Sequence, residues 1–540
     1  MHSARRTSRW ISALRFPPAL FTIIFLAIFL LHIPLLQLPY FWDEAGYYIP
    51  AARDILLSAS LIPHSTVSNA HPPLVLAWLA LCWRLIGYAV PVTRAAMLAV
   101  AAFSLVGVFR LAERVANTQV ATSATLCTAL YPVFFAQSSL AQIDLAAAGL
   151  IFWALAAYLD GKSMAAAIWF SLAALAKETA ILAPVAILAW EVLGLPGRRS
   201  SLRVLWDARE DYPAQNVQSR AVAALAIPVL PLALWYGYHF ARTGYVFGNP
   251  EFFRYNVAAT LNPTRFLLAL GLRLWQAFGY LHLWILTLAM LLAMLLPPQS
   301  DGDSERPRIA IPAQMIFFAV IFACVLAMAL IGGAVLARYM LPAIPLVIIL
   351  GVSTLWRRLS FWREATVLVA LAFVLAWFWN PPYGFSPEDN LAYRDYIVLH
   401  EDGERFLEAR YPMARVLTAW PASDEIARPW LGYITRPMRV LRVEDFTLDD
   451  MLSAAELRSD YDVALIFSTK YEPPPARWDR WRTWVDLKTR FFGFHRDLPP
   501  AAVARILGGR IVFSEARRGQ WIALIEMEQE MQNAEARMRK

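Results

Sequence analysis

Cysteine is scarce in this 540-residue chain. Cys82, Cys127 and Cys324 are odd in number, far apart and each set in an apolar run. That excludes a disulfide frame or a cysteine-built zinc cluster and leaves buried free thiols. An internal repeat is also absent, which counts against transporter folds built from duplicated halves. No nucleic-acid recognition motif accompanies the net charge of +8, so no nucleic-acid partner is expected and the basic excess needs another origin. No small-x-small cleavage site follows the apolar run near 18–38. The basic start MHSARRTSRW therefore reads as the inner flank of a retained span, not as a secretory signal.

What is abundant is apolar surface. A hydrophobic share of 59% and a mean hydropathy of +0.46 point to a polytopic membrane protein, since several runs approach or exceed the roughly 18 residues that span a bilayer. The 21 Trp and 20 Tyr suit a protein with much interfacial surface. Beyond the first run, spans are expected near 92–111, 118–138 and 142–159. Two short helices, 164–176 and 178–194, form a hairpin around Lys177. Further spans fall near 221–241, within 266–296, and at 311–334, 339–355 and 363–380. The stretch 39–91 holds two amphipathic segments, 44–58 and 72–87, which read as interfacial helices.

The basic excess follows this pattern. Arg5, Arg6, Arg9 and Arg15 precede the first span, and the expected inner loops carry Arg110, Arg114, Lys162, Arg198, Arg199, Arg203, Arg209, Arg306, Arg308, Arg357, Arg358 and Arg363. The outer turns 138–141 and 334–337 contain no Lys or Arg. This asymmetry places the N-terminus in the cytoplasm. The expected fold is an all-α polytopic bundle of about eleven transmembrane helices, residues 1–380. Residues 381–540 follow as a small extracytoplasmic α/β domain. Its strand-like runs lie at 414–420, 462–468, 510–515 and 520–527, with a helix at 447–459 and a polar tail after 528.

Charges at the outer ends of apolar helices are costly and therefore functional candidates. They lie in FWDEAGYY (41–48), AHPPL (70–74), QIDL (142–145), LAKETA (175–180) and ARYMLP (337–342). Each has a plain reading. Asp43 could cap the helix that follows, and Glu44 could be a first-turn acid favoured by the helix dipole. His71 could be a solvated residue before a Pro-Pro helix start, whose free N–H groups favour an anion. Asp144 could be an N-cap, Glu178 could neutralise Lys177, and Arg338, beside Tyr339, could snorkel. Against these stand a carboxylate suited to accepting a proton from a hydroxyl and two cations suited to a phosphate. Their shared sidedness favours the joint functional reading.

These residues carry a resemblance. Across about 15–380, the chain resembles the C-type, membrane-embedded glycosyltransferases that use polyprenyl-phosphate sugars. Within them it is similar to the bacterial group with the lipid A aminoarabinose transferases, relatives of the protein O-mannosyltransferases. The segments are DEAGYYIPAARDILLSAS, HPPLVLAWLALCWRLIG, QIDLAAAGLIFWAL, LAKETAILAPVAILAW and RYMLPAIPLVIIL. The resemblance implies Asp43 at the catalytic centre with Glu44 beside it, Asp144 as a further site residue, Lys177 near the carrier phosphate, and Arg338. Relatives commonly have Lys where this chain has His71, so phosphate binding there competes with metal ligation. No cofactor is fixed, and a divalent metal is left open.

The expected function is transfer of a sugar from a polyprenyl monophosphate to an acceptor hydroxyl or phosphate of a lipid, glycan or protein at the outer face of a bacterial inner membrane. A single displacement would invert the anomeric centre. Two other classes compete. A flippase or transporter would show repeats and mid-membrane polar groups. A scaffold would not need so many spans.

Overall fold

The computed structural model describes residues 17–193, 222–248, 250, 260–302, 304–331, 333–473, 480–495 and 497–527. The N-terminal arginines, the arginines at 198–209, the tail after 528 and part of the stretch 242–265 lie outside the described residues. The chain forms two compact units. The first holds 1–34 and 51–376; the second holds 35–50 and 377–540. Residues 35–50 are thus grouped with the C-terminal residues.

The helices in the first part of the chain run in the expected order. They are α1 (Pro18–His32), α2 (Ile49–Ser58), α3 (Leu74–Ile86), α4 (Val90–Val115), α5 (Thr118–Leu130), α6 (Pro132–Gln137), α7 (Asp144–Leu159), α8 (Ser163–Ala176) and α9 (Leu182–Leu193). After the undescribed loop come α10 (Val229–Thr243), α11 (Pro263–Phe278), α12 (Leu283–Ala293), α13 (Ile311–Ile331), α14 (Ile344–Arg358) and α15 (Trp362–Phe378).

Among the described residues, five helices are long and apolar enough to cross a membrane: 18–35, 90–115, 222–243, 263–293 and 311–331. Shorter apolar helices include α3, α7 and α8. One expected span and one over-long apolar run are broken. The 118–138 run divides at Pro132, which cannot continue the hydrogen-bond ladder. The over-long 266–296 run divides at Leu281 and His282, whose φ values are 44° and 70°.

Helix α7 is the centre of the bundle: every one of its residues is buried. Its small side chains permit this. At Gly149 an added Cβ would come within 2.0 Å of the Ser104 hydroxyl on α4, so the two backbones approach closely only because that side chain is missing. The consequence is functional. Asp144 is the first residue of the most enclosed helix, and it enters the interior with it.

The second unit is a five-stranded mixed sheet. A two-residue hairpin, β1 (Ser300–Asp301) and β2 (Ser304–Glu305), belongs to the first unit. The sheet comprises β3 (Arg415–Ala419), β4 (Arg439–Val443), β5 (Val463–Phe467), β6 (Gly509–Arg517) and β7 (Gln520–Met527), in the order β4-β3-β5-β7-β6. Strand β3 is parallel to β4 and β5, while β7 is antiparallel to β5 and β6. Central β5, VALIF, is buried at all five positions, as a continuous apolar run should be when both faces are covered. Helix α16 (Ala392–Arg410) packs on β6 and β7. A short helix, α17 (Ala422–Glu425), follows β3. The four expected strands are present. β4 and α16 were not anticipated, because their charged residues mask the apolar pattern.

Candidate functional site

In the first unit, Asp144, Lys177, Arg338 and Tyr339 converge. Asp144 is 3% exposed, Lys177 7% and Arg338 3%. The Lys177 ammonium donates to Asp144 Oδ1, and the Arg338 Nε lies 3.3 Å from Asp144 Oδ2. One carboxylate therefore faces two cations. The Tyr339 ring collects them: Lys177 Nζ lies 4.1 Å from its centroid and the Arg338 guanidinium 5.6 Å. A third cation, Arg273, is 5.5 Å from the same ring. Such contacts gain strength away from water.

Local structure explains how each side chain arrives. Helix α8 ends at Ala176, and Lys177 is extended (φ −153°, ψ 133°) before a 3₁₀ turn. The break directs its side chain to the start of α7. Arg338 sits in a 3₁₀ turn, 337–340, that precedes α14. Two plain sequence readings are revised here. Asp144 is not an N-cap, because it is the first helical residue and the cap position, Ile143, makes no side-chain bond. Glu178 acts on Lys177 through its charge but is not its hydrogen-bonded partner. Its Oε2 instead accepts from His71 Nδ1 at 2.9 Å.

His71 is held by its surroundings. The preceding Ala70 has φ 58°, a conformation that costs an L residue of order 1 kcal/mol or more, and its carbonyl accepts from Trp235 Nε1 at 2.8 Å. The Glu178 contact occupies Nδ1 of the imidazole. His71 belongs to neither group of potential metal ligands among the described residues.

Sequence reasoning missed three buried arginines, Arg94, Arg265 and Arg273, of which two hold turns that lead directly to site residues. Arg94 Nη1 on α4 donates to the Ser139 carbonyl at 3.0 Å, in the turn that leads to Asp144. Arg273, 0% exposed on α11, donates to the carbonyls of Leu336 at 2.8 Å and Ala334 at 3.2 Å, in the loop that leads to Arg338. Each positions a loop whose end is a site residue. A lone Arg inside an apolar helix was the available signal.

Asp43 and Glu44 belong to the second unit. Trp42 has φ 44° and is held in T-shaped contact with Trp420 (5.2 Å) and Tyr396 (5.6 Å). Phe41 meets Tyr396 at 5.1 Å, and the Tyr433 hydroxyl donates to the Tyr40 carbonyl at 3.0 Å. Gly46 is required, since an added Cβ would be 2.4 Å from the Trp420 indole nitrogen. Asp43 stands at the cap position of a π-helical turn, 44–48, without a side-chain capping bond. Glu44 is buried, and its Oε2 accepts from the Phe41 N–H at 2.8 Å.

Two groups could hold a metal ion: His400, Glu404 and Glu425; and Asp445, His495 and Asp497. Both lie in the second unit.

No protein-family model matches this chain, and no curated protein matches it. Solved structures do. ArnT from Cupriavidus metallidurans bound to undecaprenyl phosphate superposes with a TM-score of 0.52 at 13% identity, covering 94% of this chain and 97% of that one. The apo state of ArnT gives 0.52 at 14% identity over the same shares. The Archaeoglobus fulgidus oligosaccharyltransferase solved with Zn and sulfate reaches 0.45 at 12% identity, covering 83% of this chain and 67% of that one, too low an overlap to carry an inference. The fold of this chain is that of ArnT, in keeping with the resemblance to C-type glycosyltransferases carried by its sequence.

Proposed function

We propose that this protein is a membrane glycosyltransferase that moves a sugar from a polyprenyl monophosphate to an acceptor hydroxyl or phosphate. The observation that carries the reading is the buried set of two cations on one carboxylate at Asp144, beside the Tyr339 ring. Counted with Arg273 at the same ring, three cations stand against Asp144 and the Glu178 charge that also acts on Lys177, which leaves positive charge for which an anionic ligand is the natural complement. The ArnT structure with undecaprenyl phosphate supports the same class of ligand for this fold.

In this reading Lys177 and Arg338 receive the carrier phosphate and stabilise its charge as the sugar departs. Preorganised charge of this kind is usually the largest catalytic contribution. Asp144 keeps both cations in place before the ligand arrives. Asp43 accepts the proton of the acceptor, on the strength of the sequence resemblance. A single displacement inverts the anomeric carbon. The chain crosses a bacterial inner membrane about eleven times, with a cytoplasmic N-terminus and the second unit outside. The acceptor is a lipid, a glycan or a protein.

The test is transfer by purified protein given a mixture of polyprenyl-phosphate sugars. Polyprenyl phosphate should be released together with a glycosylated acceptor. Arg338→Ala should lower the rate about 10²–10³-fold, the typical cost of losing one charge-stabilising donor, and Asp43→Asn should abolish it. Movement of intact lipid-linked sugar across a vesicle membrane, without cleavage of the sugar–phosphate bond, would instead establish a flippase.

A further inference from the structure

We propose that His400, Glu404 and Glu425 form a binding site for one divalent transition-metal ion of the zinc class.

His400 and Glu404 are one helical turn apart on α16, so their side chains share a face. Glu425 is brought to them at the end of α17. One candidate ligand atom from each residue lies within 4.8 Å of the others. His400 Nδ1 is 2.7 Å from Glu425 Oε2 and 3.6 Å from Glu404 Oε1. The three residues are 1%, 0% and 0% exposed.

Their remaining polar atoms are unsatisfied. Both Glu404 oxygens, Glu425 Oε1 and His400 Nε2 have no hydrogen-bond partner. Among the described residues, no Lys or Arg pairs with either carboxylate. Two ionised carboxylates in such an enclosure would each cost several kcal/mol without a counter-charge. A divalent cation balances both. An imidazole with two carboxylates favours zinc or a similar ion over magnesium or calcium, which prefer all-oxygen shells.

The other group, Asp445, His495 and Asp497, differs. Thr469 donates to both Asp497 oxygens, and Lys470 Nζ is 3.0 Å from His495 Nδ1. Its partners are already present.

The site lies under the aromatic residues that hold the Asp43 segment. The Tyr396 ring stacks on His400 at 4.0 Å and meets both Phe41 and Trp42. An ion fixing His400 would stiffen that support, a structural role that fits the enclosure of all three ligands.

The competing neutraliser is a proton shared by the two glutamates. Burial and the Glu425 carboxylate push the Glu404 carboxyl well above its usual range. Metal analysis separates the two. Full-length protein is stripped with a chelator, dialysed against Zn²⁺ and passed through a desalting column. Wild type should retain one zinc more per chain than Glu404→Gln or His400→Gln. X-ray absorption at the zinc edge should show a nitrogen and oxygen shell that includes one imidazole. Glu404→Gln keeps side-chain volume and resembles the protonated acid, so it should fold even if His400→Gln does not. Equal zinc content in wild type and Glu404→Gln, or a zinc shell without imidazole in wild type, would overturn the site.

Discussion

Asp144 and Glu404 are both buried carboxylates, 3% and 0% exposed, yet their surroundings differ in sign. Asp144 faces Lys177 and Arg338, with Arg273 beyond the Tyr339 ring. Glu404 faces a second carboxylate and an imidazole. In the first cluster three cations outnumber Asp144 and the Glu178 charge beside Lys177, and the second is a pair of acids with no Lys or Arg partner among the described residues. Burial raises the cost of any unbalanced charge. The two clusters therefore call for opposite ligands, an anion in the first unit and a cation in the second.

The largest expected effect breaks the first half of this comparison. Asp144→Ala strands two buried cations, and removing one member of a buried ion pair costs about 3–5 kcal/mol. The thermal midpoint in detergent should fall sharply and recover in part when polyprenyl phosphate is added. An unchanged midpoint would mean that this acid does not hold the cations. A smaller effect addresses the other half. In chelator-treated protein, Glu404→Gln strands no cation and should alter stability by no more than about 1 kcal/mol. A loss comparable to that of Asp144→Ala would reveal a cationic partner and erase the contrast. The smallest effect sharpens it. Glu44 is a buried acid with a backbone N–H for a partner, and Glu44→Gln keeps an acceptor oxygen there. It should cost about 0.5 kcal/mol, the low end for a lost capping interaction. A loss several times larger would mean that the charge of Glu44, and not its bond to the Phe41 N–H, matters there.

Much of the site was legible as charges in apolar runs. Asp144, Lys177 and Arg338 each interrupt a hydrophobic stretch, and the cost of such a charge marks it at once. Their pairing was not legible, because Glu178 is adjacent to Lys177 in sequence while Asp144 reaches it only through the contact of α7 with α8 and the following turn. The loop-holding roles of Arg94 and Arg273 were hidden for the same reason: their acceptors are carbonyls of distant turns. In the second unit the spacing of His400 and Glu404 is visible in HEDGE, but Glu425 meets His400 only in the folded chain. The Asp43 segment shows the limit most plainly. Nothing in FWDEAGYY names Tyr396, Trp420 or Tyr433 as its supports.

Hydropathy by itself determined a largely helical apolar bundle followed by a smaller α/β part, since apolar length is a local property that survives in a linear string. It also determined which side chains would be expensive to bury. Only the tertiary structure decided which charge offsets which, and which cluster was left with like charges together. Coulomb energy depends on distance and on the exclusion of water, and neither exists until helices and sheet have packed.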